Sequence, residues 1–390
     1  MTSLLLVSGT RPEIIKLAPV YHALREVPGL AVHWLHTGQH DAMATQILAC
    51  FDIRPDTVLQ REGSSLLDFS TGCRRQLDAA LTDGDYAMVI VQGDTESAFQ
   101  GALAGFYHGI PVAHVEAGLR TGNLARPFPE EGLRQMISRL ARFHFAPTAR
   151  AEAALLSEGI ADERIVLTGN TVVDAQQWTC AHRGVGRHTA GRGHLLVTVH
   201  RRENWGNDVA EICAAVAQIA REQPALDVLF PVHLNPVIQG PVHELLGDLP
   251  NVRLVAPLDY TAMQQALADA WLVMTDSGGL QEEAPTFGVP VVVLRDETER
   301  PEALEAGCAV LTGANRHAIL DIVHRLTCDK ALYSRMAQAG NPYGDGQASA
   351  RIAKTVARHF GLDRAAADAS RDADALHTAA VHTDDATALV

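Results

Sequence analysis

Short apolar runs recur along this chain, and most are followed by a segment with helical spacing. Residues 3–9 read SLLLVSG, 31–38 AVHWLHTG, 87–94 AMVIVQGD, 110–118 IPVAHVEAG, 143–148 FHFAPT and 164–170 RIVLTGN. The spacing predicts helices over 12–25, with proline in the first turn, and over 97–108. Near-continuous apolar strands alternating with helices are the pattern of a parallel sheet covered on both faces. Over 178–193 the rhythm stops in a glycine- and arginine-rich stretch that reads as a linker. It restarts at 194–201, 227–233, 252–257, 270–279 and 289–296.

The expected organisation is α/β. One Rossmann-like doubly wound domain spans 1–177, a second spans 194–346, and they face each other across a cleft. A helix at 347–361 is expected to pack back on the first domain. The Ala/Asp-rich tail 363–390 has little to bury and reads as disordered.

Composition narrows the function. A net charge of -14 argues against nucleic acid or an anionic membrane surface as partner. No apolar run approaches the roughly 20 residues of a membrane span, and the N-terminal apolar stretch reads as a buried strand, not a signal peptide. Six cysteines without a CxxC pair suit a reduced cytoplasmic enzyme with no metal site.

Ionisable residues concentrate where strands end, which in an open α/β sheet is the ligand crevice. SGTRPEIIK (8–16) runs strand, turn, helix, so its amides, Arg11 and Lys16 could hold an anion. TDSGGLQEEAP (275–285) repeats the design with Ser277, Gly278 and Gly279, and Glu283 could accept from sugar hydroxyls. Arg300 could reach the same phosphates. Asp94, Glu116 and Glu130 end strands or begin helices in the first domain, and His200, Arg201, Arg202 and His233 do so in the second. Each has a plainer reading. The Arg11 turn could be a solvated helix face, Asp94 an N-cap, His200 and His233 structural, and Glu282 and Glu283 complements to a helix dipole. Together they suit a diphosphate flanked by proton-transfer groups.

The blocks GTRPEIIKLAPV, TGQH, GDT, HVEAGLRTGN, PFPEE, TGNTVVDA, HRREN, PVHLNP, TDSGGLQEEAP, RDETERPE and NPYGDGQAS occur in order over roughly residues 4–362. They resemble the signature blocks of the bacterial non-hydrolysing UDP-N-acetylglucosamine 2-epimerases. The resemblance implies a GT-B type fold, usually a homodimer, and interconversion of UDP-GlcNAc and UDP-ManNAc without a cofactor. UDP is eliminated to give 2-acetamidoglucal and re-added with inversion at C2. The resemblance places catalytic roles on Asp94, Glu116, Glu130 and His200. Substrate binding falls on Arg11, Lys16, Ser277, Gly278, Gly279, Glu283 and Arg300. Arg201 and His233 join the binding set as cleft residues. The resemblance further implies a second, allosteric UDP-GlcNAc site. Gln39, Glu130 and His233 match it, while Ala42 and Gly63 stand where a glutamine and an arginine are expected. A hydrolysing 2-epimerase and a GT-B glycosyltransferase are the competing activities.

Overall fold

The structure is a computed structural model that describes residues 1–39, 41–188, 192–201 and 206–362, the side chains of 41–43 excepted. Arg202, the side chain of Ala42 and the expected tail at 363–390 lie outside the described residues.

Two parallel sheets organise the chain. The first contains β1 (Thr2–Ser8), β2 (Leu30–His36), β3 (Thr57–Val58), β4 (Met88–Gln92), β5 (Val112–Val115), β6 (Phe143–Ala146) and β7 (Ile165–Leu167). Their order is β3-β2-β1-β4-β5-β6-β7. The second contains β8 (His194–Thr198), β9 (Val228–Pro231), β10 (Val252–Val255), β11 (Ala270–Thr275), β12 (Val291–Val293) and β13 (Ala309–Leu311). Their order is β10-β9-β8-β11-β12-β13.

Apolar side chains on both faces explain the unbroken hydrophobic runs. Leu4 and Leu6 of β1 join a core with the helix Arg11–Arg25, while Leu5 and Val7 join another with the helices Leu66–Asp83 and Glu96–Tyr107. The second sheet is packed in the same way. In each sheet the winding reverses once, between β1 and β4 and between β8 and β11. Strand ends diverge there and leave a crevice.

The interdomain connection differs from the expected linker. The helix Thr171–Arg183 runs through 178–183, and Gly184 ends it with φ 68. Its stripe of Val172, Val173, Ala175 and Thr179 is buried, and Trp178 stacks on His22 at 5.3 Å. The glycine and arginine signal begins only past that stripe. The helix Ala348–His359 buries Ile352, Ala353 and Val356 in the core that contains Ile14 and Leu17. Asp174 caps it from the first domain, accepting from Ser349 N at 2.8 Å and Ser349 Oγ at 2.5 Å. Among the described residues no helix is long and apolar enough to cross a membrane.

Candidate active site

The turn after β1 is tight. A Cβ on Gly9 would lie 1.9 Å from Ser97 Oγ, so only glycine fits there. The amides expected to be free for an anion are already occupied. Glu13 Oε2 accepts from Gly9 N at 3.0 Å and Thr10 N at 2.6 Å, and its Oε1 accepts from Thr95 Oγ1 at 2.6 Å. A carboxylate three residues into the helix thus closes the turn from inside. Glu13 is 1% exposed. Burial pushes its carboxyl up to about 7 despite the hydrogen bonds that oppose it. The turn therefore offers a ligand the half-buried Arg11 side chain rather than these two amides.

Lys16, one turn on, is the centre of a buried charge cluster. Its Nζ lies 2.5 Å from Glu116 Oε1 and 3.2 Å from Glu282 Oε2. Burial works against the ammonium, but these two carboxylates outweigh it and hold the group above its ordinary value. Glu116 follows β5 at φ 62, a left-handed conformation costly for a side-chain-bearing residue. Gln92 Nε2 donates to its Oε2, and Asn170 Nδ2 to its Oε1 at 3.2 Å.

Glu282 is 1% exposed and also accepts from Arg300 Nε. Burial alone would raise its carboxyl, yet Arg300 and Lys16 bring it below the usual range. The residue read as a helix-dipole complement is the link between two cations expected to face phosphate. Tyr343 supports Arg300 from behind, its hydroxyl donating to Arg300 O at 3.1 Å. Glu283 turns its Oε2 to Gln264 Nε2 at 2.6 Å, and burial pushes its carboxyl up to about 7.

Asp94 is held by Arg134, which also reaches Glu131 Oε2 at 3.3 Å. Glu131 accepts from the backbone of Thr121 at 3.0 Å and Gly122 at 3.2 Å, so one arginine ties Asp94 to the loop before the helix Glu130–Leu140. Glu130 opens that helix, half-buried.

In the second domain, Ser277 caps the short helix Gly278–Glu283, accepting from Leu280 N at 3.5 Å. A Cβ on Gly278 would lie 3.4 Å from an Arg201 nitrogen and 3.9 Å from one of Arg300, so both guanidiniums lie over this turn. Asp276, before Ser277, is 0% exposed. Its Oδ1 lies 2.9 Å from His200 Nδ1, and its Oδ2 accepts from His200 N and Arg201 N, each at 2.9 Å. Burial would raise Asp276, but His200 and the two amides hold it below the ordinary carboxylate range. His233 is exposed and its Nδ1 accepts from Asn235 N at 3.1 Å, within its own loop.

A cleft of about 1040 Å³ opens between the Gly118–Pro127 loop and the second domain's Arg201 and Arg295–Glu302. Of the expected site residues it is lined by Arg201, while Lys16 and Glu116 are buried against each other. Gln39 accepts from Ser97 Oγ at 2.6 Å, and Arg61 donates to its carbonyl at 2.6 Å. An arginine thus does reach the Gln39 segment, two residues before Gly63. Among the described residues no group of His, Cys, Asp and Glu could hold a metal ion.

Cations from both domains, Lys16 and Arg300, meet at Glu282. Residues 22–357 match the family model of UDP-N-acetylglucosamine 2-epimerase. The chain belongs to the UDP-N-acetylglucosamine 2-epimerase family. A UDP-N-acetylglucosamine 2-epimerase of Yersinia pestis is 44% identical over 370 residues, 91% of this chain and 98% of the relative. The Neisseria meningitidis family structure bound to UDP-GlcNAc superposes with TM-score 0.83 at 37% identity, covering 92% of this chain and 100% of that one. The Staphylococcus aureus MnaA–UDP structure has TM-score 0.83 at 38% identity, with 93% and 98% covered. The family and the GT-B type architecture read from the sequence blocks are those of this chain.

Proposed function

We propose that this family member interconverts UDP-GlcNAc and UDP-ManNAc by anti elimination and re-addition of UDP, without release of free ManNAc. The observation that carries the reading is the Lys16-centred cluster. It joins a strand-end carboxylate, Glu116, to two phosphate-capable cations, Lys16 and Arg300, drawn from both domains.

In the forward step a carboxylate takes the C2 hydrogen as a proton. The C–H electrons form the C1–C2 double bond, and the C1–O bond breaks with its electron pair leaving on UDP. For return, a UDP oxygen attacks C1 and a proton is delivered to the other face of C2. No net oxidation occurs, so no redox cofactor is required. Asp94, Glu116 and Glu130 are the proton-transfer candidates, and Arg134 and Lys16 keep two of them charge-paired. Ser277, Gly278, Gly279, Arg201 and Arg300 suit the diphosphate, whose departing charge fixed cations stabilise. Arg11, Glu283 and His233 are the candidates for the remaining nucleotide contacts. We take the working form to be a cytoplasmic homodimer that supplies cell-surface polysaccharide synthesis.

Incubation of pure protein with UDP-GlcNAc alone in deuterated water, followed by NMR, tests the reading. UDP-ManNAc with deuterium at C2 is expected. Accumulation of UDP with free ManNAc would assign the hydrolysing reaction instead. Product that kept its original C2 hydrogen would exclude elimination.

A further inference from the structure

The second domain contains a buried carboxylate that the sequence blocks left without a role. We propose that Asp276 is the positioning residue for His200, fixing the imidazole with hydrogen on Nδ1 and leaving Nε2 toward the cleft. Both carboxylate oxygens hold the His200 segment, His200 N reaching Oδ1 as well, at 3.2 Å. Oδ2 is taken up by the amides of His200 and Arg201, both at 2.9 Å, and Oδ1 lies 2.9 Å from His200 Nδ1. An ionised carboxylate only accepts, so the ring nitrogen facing it must carry hydrogen.

Asp276 is wholly buried, whereas the His200 side chain is 43% exposed, and its Nε2 makes no hydrogen bond among the described residues. The ring is therefore held at one edge and open at the other. Asp276 also lies between β11 and the Ser277–Gly279 turn, so the same group fixes the imidazole beside the expected diphosphate site. With hydrogen fixed on Nδ1, Nε2 presents its lone pair to the cleft, the orientation from which an imidazole takes up a proton and returns it. The arrangement is the general logic of an acid–base histidine oriented by a buried acid.

Asp276→Asn separates orientation from folding. The amide oxygen can keep both backbone N–H groups, while its NH2 faces Nδ1 and forces that nitrogen to accept. The hydrogen of the neutral ring then moves to Nε2. Long-range 15N–1H NMR, with the His200 signals assigned by their loss in His200→Ala, should show the Nδ1–H tautomer in the parent and Nε2–H in Asp276→Asn. Only the kinetic arm rests on the epimerase reading. There kcat should fall about a hundredfold, the scale of a general acid–base group, with UDP affinity little changed. In a His200→Ala background the same substitution should cost nothing further. An Nε2–H tautomer in the parent overturns the proposal, as does an equal loss of kcat with and without His200. If the parent does not epimerise UDP-GlcNAc, the functional reading fails, and the tautomer measurement still decides the role of Asp276.

Discussion

Lys16 of the first domain and Glu282 of the second are buried 3.2 Å apart, and Lys16 is at the same time 2.5 Å from Glu116. One ammonium thus keeps two carboxylates from facing each other uncompensated. Removing one partner of a buried pair leaves a stranded charge, which costs about 3–5 kcal/mol. Lys16→Met should lower unfolding stability on that scale, and adding Glu282→Gln should recover part of the loss. Denaturant titration of the parent and the two variants checks this; a Lys16→Met protein as stable as the parent would contradict it.

The same pair governs opening of the cleft. Separating the domains must break Lys16–Glu282, so Glu282→Gln should expand the free protein in small-angle scattering. UDP should then compact the variant more than the parent, because a diphosphate supplies the missing anion between the domains. Identical profiles for both free proteins would count against this role.

Glu13 and Glu283 make stability depend on pH. Burial raises both to about 7, against an ordinary value of 4.5. A raised carboxyl binds its proton more tightly when folded. Its contribution is therefore full below the unfolded value, near 4.5, and is lost as pH rises through 7. The loss is on the order of 3 kcal/mol per group. Glu13→Gln and Glu283→Gln should each gain stability relative to the parent between pH 5 and pH 8.5. A stability difference that stays constant across that range would disprove the assignment.

Asp94→Asn and Glu116→Gln should each lower turnover by about two orders of magnitude. UDP affinity should change little, since neither carboxylate lies at the Ser277 turn. Near-parental turnover in both variants, measured on UDP-GlcNAc, would remove these residues from the reaction while leaving the family assignment intact.

The strands that build the two crevices were legible because each is a dense apolar run. The edge strands β3 and β13 were not, being too short and too exposed to leave a pattern. At the site, residue type and strand-end position pointed to Lys16, Glu116, Arg300 and His200. Their partners were hidden. Glu282 lies 266 positions from Lys16, and nothing in EE at the end of a short helix tells which carboxylate turns to a lysine of another domain. Asp276 stood inside a recognised block but looked like the end of a strand. Glu13 was the most readable omission, since its spacing from Thr10 is that of a capping box, and that spacing predicts occupied amides.

The core of the first domain also contains Tyr260 of the second domain, together with Ile352, Ala353 and Val356 from the last described helix. On the ribosome, residues up to Arg183 emerge with a vacant apolar seat over the helices Arg11–Arg25 and Thr171–Arg183. Tyr260 reaches it first, and Ile352, Ala353 and Val356 complete it only when the last described helix has been made. The N-terminal half therefore completes its core only after the C-terminal helix has been made.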